Sequence, residues 1–535
     1  MKRTGQFILR NEPWFLALMF LIALFQVWAT RFVPSLDGPQ HLYNAQVIDR
    51  LVRGDEAFRQ FFSINEVIVG YWTGHFLLSL LHFFLPGWLA EKLFLSLYIF
   101  GMYFSFRYLV RSVNPEKGNL IIYLIFPFIF HTYLLRGYYS FSFAILFYFL
   151  AIGFWIRKGE RLSAGQLLVF SLLMLGVFLS HGLVFAIFCV SLLGLFLFRF
   201  IQRTGVAGFS VSLKEYLTGG LKILLAALPS LVLWYIYISS VMGIDDTVTK
   251  AKYSFGKLWI FLLRAEPLVG FDYKREMYAY ILLSALILSL LAVLVLDLIR
   301  KRKSKETVPK KDTGYRNLLL PLVILFLLVY LFAPDRISAG NLTNRFGLFF
   351  FLLLIAWLAQ QHFRTGVKVA SLAVLLLVCV QSRYIHHGYL KILNTRAKQF
   401  TELGKLIPEG STLTGIRESG NWIDHHFFSY TADQAGAIYI NNQQCAGQFP
   451  VVWNNHDLPE VFAGTERVSM PGSVPEPASV HEKRELDFIV VYDDRKFWSR
   501  PEYVKWQNLL DAYYTREGSS NDGAVVLYRR TVKAN

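Results

Sequence analysis

The sequence predicts a polytopic α-helical membrane protein with about 11 spanning helices plus a re-entrant or interfacial helix, and a small C-terminal extracytoplasmic α/β domain. Three observations predict it. Hydrophobic residues make up 54% of the 535, aromatics 16% and charged residues only 17%, a balance that suits a bilayer better than water. Apolar runs of spanning length recur as far as residue 382, separated by short clusters of Lys and Arg. From 383 onward the chain turns polar, with turn residues between short alternating segments.

The N-terminus places Lys2, Arg3 and Arg10 ahead of an apolar run over 14 to 30. The run is long for a cleavable signal, and Thr30-Arg31-Phe32 supplies no small-residue cleavage site, so it reads as an uncleaved first helix. Further runs follow at 68 to 85, 90 to 110, 119 to 135, 138 to 156, 165 to 180, 183 to 200, 222 to 241, 277 to 298, 317 to 333, 346 to 362 and 367 to 382. Each approaches the roughly 20 residues a crossing needs.

Basic residues set the orientation. The segment 299 to 316, IRKRKSKETVPKKDTGYR, holds eight Lys or Arg against two acidic residues and is assigned to the cytoplasm. Alternation from this anchor puts 242 to 276, Ser180-His181-Gly182 and Arg136-Gly137-Tyr138 outside. Going forward, 334 to 345 and everything after Arg383 also fall outside. The basic N-terminus belongs in the cytoplasm, and that parity holds only if one early run does not cross. The run over 68 to 85 carries Tyr71, Trp72, His75 and His82 and ends at Pro86-Gly87, which marks it as re-entrant or interfacial. Eleven crossings remain, dividing the chain into a membrane domain over 1–382 and an extracytoplasmic domain over 383–535.

Within the tail, 411 to 416, 437 to 442, 449 to 453, 487 to 494 and 524 to 530 alternate as strands do. The segments 395 to 407 and 501 to 515 have helical spacing, so a small α/β or α+β domain is expected. The Pro-, Ser- and Gly-rich stretch 464 to 483 reads as a mobile loop.

The net charge of +17 is spread between apolar runs instead of forming a basic face. It therefore reads as topology signal facing lipid headgroups, with no nucleic-acid partner. Three cysteines, Cys189, Cys379 and Cys445, show no paired spacing for a zinc site or a disulfide framework.

The most informative polar segment is the first external loop, VPSLDGPQHLYNAQVIDRLVRGD (33 to 55), which puts Asp37 and His41 just outside the first helix. Asp-Gly is also a common turn pair, and the two readings coexist. An acidic residue after the first helix, a histidine four positions on and then an amphipathic helix resemble the membrane glycosyltransferases of the C-type fold. That superfamily includes the dolichyl-phosphate-mannose and aminoarabinose transferases. Where many members carry a second acidic residue, this chain has Gly38.

The resemblance implies a polyprenyl-phosphate sugar donor and an extracytoplasmic acceptor in the cell (inner) membrane. A polyprenyl phosphate leaves without protonation, so one carboxylate suffices, and Asp37 is expected as the general base of an inverting transfer. The leaving phosphate needs cations, for which the candidates at outer helix ends are Arg136, His181, Arg336 and Arg345, with His41 beside Asp37. Each arginine could equally be an interfacial anchor, and His181 a turn histidine bonded to backbone.

A divalent cation is possible, but Asp245, Asp246 and Asp272 have no compact ligand spacing and read as solvated loop carboxylates. Tyr71, Trp72, Tyr138 and Tyr139 fit an aromatic belt. Two other functions use lipid-linked sugars, a transporter or flippase and a polysaccharide polymerase or ligase. Charges gathered at helix ends, with no large late loop, favour the glycosyltransferase.

Overall fold

Apolar sequence in a bilayer leaves the backbone no partner but itself, so it coils into helices. The computed structural model describes residues 12–114, 119–159, 162–207, 209–241, 253–303, 317–335, 341–418, 420–454, 461–463, 466–467 and 484–531. These divide into two compact units. The first comprises residues up to Gln26, Ser96–Leu135 and Tyr139–Gly388; the second comprises Val27–Leu95, Arg136–Tyr138 and the chain from Tyr389.

The helices, in chain order, begin with α1 (Glu12–Trp28), α2 (Gly38–Arg53), α3 (Glu56–Arg59), α4 (Trp72–His82), α5 (Gly87–Val113), α6 (Ile125–Ile129) and α7 (Thr132–Leu135). Next come α8 (Tyr139–Lys158), α9 (Ala164–Ser180), α10 (Gly182–Ala207), α11 (Phe209–Val241), α12 (Phe255–Leu263), α13 (Tyr273–Lys303), α14 (Leu320–Phe332), α15 (Leu342–Leu358) and α16 (Thr365–Gly404). Six of them, α5, α8, α10, α11, α13 and α16, are long and apolar enough to cross a membrane. Helix α4 has 11 residues, about 16 Å at 1.5 Å per residue, well short of a hydrocarbon core of about 30 Å.

Aromatic contacts tie the first unit together. Phe326 of α14 stacks on Phe349 of α15 at 5.7 Å, and Tyr148 of α8 meets Phe349 edge-on at 5.2 Å. The buried Tyr148 hydroxyl donates to Ser191 Oγ of α10 at 2.9 Å, and the Ser191 hydroxyl donates in turn to the Ile187 carbonyl at 2.8 Å. Two buried hydroxyls are thereby satisfied where no water reaches them.

The second unit is built on a five-stranded mixed sheet in the order β3 (Ile438–Tyr439), β2 (Thr412–Arg417), β8 (Phe488–Tyr492), β10 (Val525–Arg530), β9 (Tyr514–Ser519). Strand β2 runs parallel to β3 and β8, whereas β8, β10 and β9 are antiparallel. Two helices, α17 (Phe428–Ala435) and α19 (Val504–Tyr513), flank it in sequence, with α18 (Asp494–Ser499) following β8. The five segments expected as strands all carry one, and β9 is an addition. Its charged run, TREGS after Tyr514, is mostly exposed, as an edge strand requires.

The first external loop belongs to this unit. Strand β1 (Phe62–Ile64) pairs antiparallel with β4 (Val451–Trp453), and Phe62 stacks on Trp453 at 4.6 Å. The Tyr43 hydroxyl of α2 donates to the Ala437 carbonyl at 2.9 Å and accepts from the Tyr439 N–H at 2.8 Å. Asn44 donates to the Gln444 carbonyl at 3.0 Å and accepts from Asn442 Nδ2 at 2.6 Å. Three further short strands, β5 (Val461–Ala463), β6 (Glu466–Arg467) and β7 (Arg484–Glu485), form a separate sheet. Within 464 to 483 the described residues are β6; the rest of that stretch lies outside them, as do Asp245 and Asp246.

Candidate functional site

Asp37 occupies the N-cap position of α2, followed by Pro39 in the first turn, yet its side chain makes no capping hydrogen bond. An aspartate at this position ordinarily accepts from the first-turn N–H groups. Here the Asp37 backbone is helical (φ −95°, ψ −14°) instead of extended, and Pro39 offers no N–H; the Gly38 N–H is taken by Ser35 Oγ at 3.1 Å. The carboxylate is left for other chemistry.

The Asp37 backbone N–H donates to the Arg136 carbonyl at 3.0 Å, which holds the 136–138 segment against the turn. Gly137 makes this approach possible. Its φ is +84°, and a Cβ there would lie 2.4 Å from the Gly38 nitrogen and 2.7 Å from Ser35 Oγ. Only glycine fits such a backbone and such a gap.

Burial raises the Asp37 carboxyl to about 7, against the pull of the Arg136 guanidinium. Desolvation penalises the charged form, and one half-buried cation does not cancel it. The Asp37 side chain is 22% exposed, and His426 Nε2 stands 3.6 Å from its Oδ1. Arg136 itself lies over the Trp422 ring at 5.1 Å.

A second imidazole pair adjoins this turn. His41 Nδ1 is 3.2 Å from His75 Nε2, and His75 Nδ1 is 2.9 Å from the Tyr71 carbonyl. A carbonyl can only accept, so His75 donates from Nδ1 and, when neutral, accepts at Nε2 from His41. Burial pushes His75 down to about 4 and His41 well below its ordinary value, the latter helped by the adjacent His75 and His426. Both rings are therefore neutral at physiological pH.

In the first compact unit, Arg345 and His181 share a different aromatic. The Arg345 guanidinium lies 5.4 Å from the Tyr133 centroid and 5.3 Å from that of Phe141, and the His181 ring meets Phe141 at 5.4 Å. Arg345 is 4% exposed, and among the described residues its Nε and one terminal nitrogen have no hydrogen-bond partner. His181 joins α9 to α10 in an extended conformation, and its Nδ1 accepts from the Leu183 N–H at 3.2 Å. That bond leaves Nε2 as the nitrogen carrying the proton.

Of the residues singled out in the sequence, Asp37, His41 and Arg136 are thus brought together, and His181 and Arg345 form a second group. Arg336 lies outside the described residues. Asp272 accepts from the Lys274 and Arg275 N–H groups at 2.8 and 3.1 Å, an ordinary helix cap for α13. Among the described residues no group of three or more His, Cys, Asp or Glu could hold a metal ion. Sequence reasoning did not reach His426 and Trp422, which lie on the 3-10 turn Trp422–His426. The signal available was the adjacent pair His425-His426 between two apolar stretches.

No family model and no curated protein matches the sequence. Among solved structures, the chain is similar to an oligosaccharyltransferase from Archaeoglobus fulgidus tethered to an acceptor peptide, with 12% identity and a TM-score of 0.43 over 97% of this chain and 74% of that one. It is also similar to ArnT from Cupriavidus metallidurans, with 12% identity and a TM-score of 0.37 in the apo state. The form bound to undecaprenyl phosphate gives 11% and 0.36, and both ArnT comparisons cover 97% of this chain and 98% of the other. At such scores, what this chain does has to be argued from its own residues.

Proposed function

We propose that the chain is an inverting membrane glycosyltransferase that moves a sugar from a polyprenyl-phosphate donor to an extracytoplasmic acceptor, with Asp37 as general base. The observation that carries this reading is the Asp37 carboxylate, which makes no capping hydrogen bond at its N-cap position and is raised by burial to about 7. A base matched to neutral pH combines a populated ionised form with real proton affinity. An Asp37 oxygen takes the proton of the acceptor hydroxyl as the acceptor oxygen bonds to the anomeric carbon. The bond from carbon to phosphate oxygen breaks, and its electron pair leaves on the phosphate.

Arg345 and His181 are assigned to the donor phosphate, with Arg136, His41 and Arg336 as further substrate-binding residues. Arg345 suits an anion because aromatic faces, and among the described residues no carboxylate, accompany its charge. Six long apolar helices and five shorter ones, α1, Leu120–Leu135, α9, α14 and α15, support eleven crossings with α4 outside the bilayer core. The proposed arrangement has a cytoplasmic N-terminus, a membrane domain over 1–382 and an extracytoplasmic domain over 383–535.

The test is Asp37→Asn in reconstituted vesicles supplied with a polyprenyl-phosphate sugar. Transfer is expected to fall by roughly 10²–10⁴-fold with the lipid still bound, and wild-type turnover to rise with pH through about 7. Normal turnover by the variant would sink the mechanism. Translocation of the sugar lipid without a glycosidic product would select the flippase.

A further inference from the structure

The 3-10 turn Trp422–His426 is the least expected neighbour of Asp37. It is fixed from several directions. The Asn421 side chain accepts from the Ile423 N–H at 3.1 Å, capping the turn. Asp424, 2% exposed, accepts from the Tyr492 hydroxyl of β8 at 2.8 Å and pairs with Arg417 Nε of β2 at 3.2 Å. Arg417 also reaches His425 Nδ1 at 3.0 Å. Two neighbouring strands of the sheet thus grip a turn whose last residue faces Asp37 and whose first, Trp422, lies against Arg136. A buried acid held by two donors on separate strands is a rigid anchor, and rigid support is what a positioned base needs.

We infer that His426 is a positioning residue for Asp37: its neutral imidazole presents an Nε2–H dipole to the carboxylate and stabilises the ionised, proton-accepting form. This rests on the reading of Asp37 as the base. At 3.6 Å the contact is longer than a hydrogen bond and acts as a charge–dipole interaction.

The groups against Asp37 are Arg136 from the 136–138 segment and His426, with His425 and Arg417 behind it; His41 of α2, backed by His75 of α4, lies against Gly137 and interacts with His426. Arginine keeps its charge. Burial holds His41 and His75 low, takes His426 down to about 3 and, with Arg417, lowers His425. Asp37 is therefore the member of this set that titrates near neutrality, and removing a donor from its ionised form shifts it upward.

The experiment is the pH dependence of transfer by the full-length protein in vesicles. His426→Leu is expected to move the acid limb upward by about one pH unit, with turnover recovering toward wild type at high pH, where Asp37 is ionised regardless. His426→Gln, which keeps a donor at similar reach, is expected to restore the wild-type limb. Tyr492→Phe, loosening the anchor, is expected to shift the limb in the same direction by less.

A merely structural role would lower turnover at every pH without moving the limb, and an unshifted limb in His426→Leu overturns the inference. Should that variant be recovered unfolded, His426→Asn, whose amide stops short of Asp37, takes its place under the same criterion. Failure of the base assignment is read separately, as turnover by Asp37→Asn.

Discussion

Asp37 and Arg345 are both ionisable groups withdrawn from water, and their surroundings differ. Asp37 faces a half-buried guanidinium and a neutral imidazole, and burial prevails, so its carboxyl is raised to about 7. Arg345 lies against two aromatic faces, with part of its hydrogen-bonding fork unused. The first environment makes proton affinity adjustable, because a carboxylate can lose its charge when solvation is withheld. The second cannot discharge its cation, so the aromatic quadrupoles offset part of the desolvation and leave attraction for an anion. One cluster suits moving a proton and the other suits holding a charge.

The largest expected separation between them comes from Arg345→Ala. If Arg345 stabilises the departing phosphate, turnover falls by roughly 10²–10³-fold, the usual loss when one donor to a developing charge is removed. Arg345→Lys recovers part of this, since an ammonium keeps the charge without the planar fork. The acid limb near pH 7 is expected to stay in place for both, because the influences that set Asp37 are burial and Arg136. A shifted limb would break the distinction between the two clusters, and unchanged turnover would remove Arg345 from the reaction.

How much of this was legible in the sequence differs between the two units. Most helices of the first unit were readable because continuous apolar length is a local property, but several bounds differ. The run 222 to 241 lies within α11, which begins at Phe209, and 367 to 382 lies within α16, which continues to Gly404. The run 119 to 135 is broken into a 3-10 segment, α6 and α7, and at 346 to 362 α15 begins four residues earlier, after Asn341 takes a left-handed φ of 52°. The strands of the tail were legible for the same reason, through local alternation.

Pairing was not legible. Nothing near Phe62 announces Trp453, and nothing near Asn44 announces Asn442, because these contacts join residues almost 400 positions apart. The candidate site divides likewise. Asp37, His41 and Arg136 were recoverable from residue type and membrane side. His426 depends on where a distant turn is anchored, and the value of Gly137 appears only when the turn it presses against is known.

Gly137→Ala tests that last dependence. Its positive φ disfavours any Cβ by roughly 1–2 kcal/mol, and the substituent would also collide with the Gly38 nitrogen and Ser35 Oγ. Displacement of the 136–138 segment from Asp37 is expected, and a misplacement of about 1 Å can cost roughly 10²-fold in rate. Transfer assays should show this with donor binding nearly intact. If turnover is unchanged, the contact between Gly137 and the Asp37 turn does not set the geometry of the base.

The smallest effect is a gain in stability. Because folding raises Asp37 from an ordinary carboxyl value of about 3.9 to about 7, the native protein retains a proton between these limits that the unfolded chain has released. Linkage then makes native stability fall as pH rises through this window, and the deficit remains above pH 7. Asparagine carries no such proton. Asp37→Asn should therefore match the wild type at pH 4 and exceed it by roughly 1–3 kcal/mol at pH 8, allowing for the partial exposure of the side chain. Thermal melts in detergent across this range would measure the divergence. Curves that stay parallel would mean the carboxylate is well solvated in the native protein, and would return Asp37 to the role of a simple turn residue.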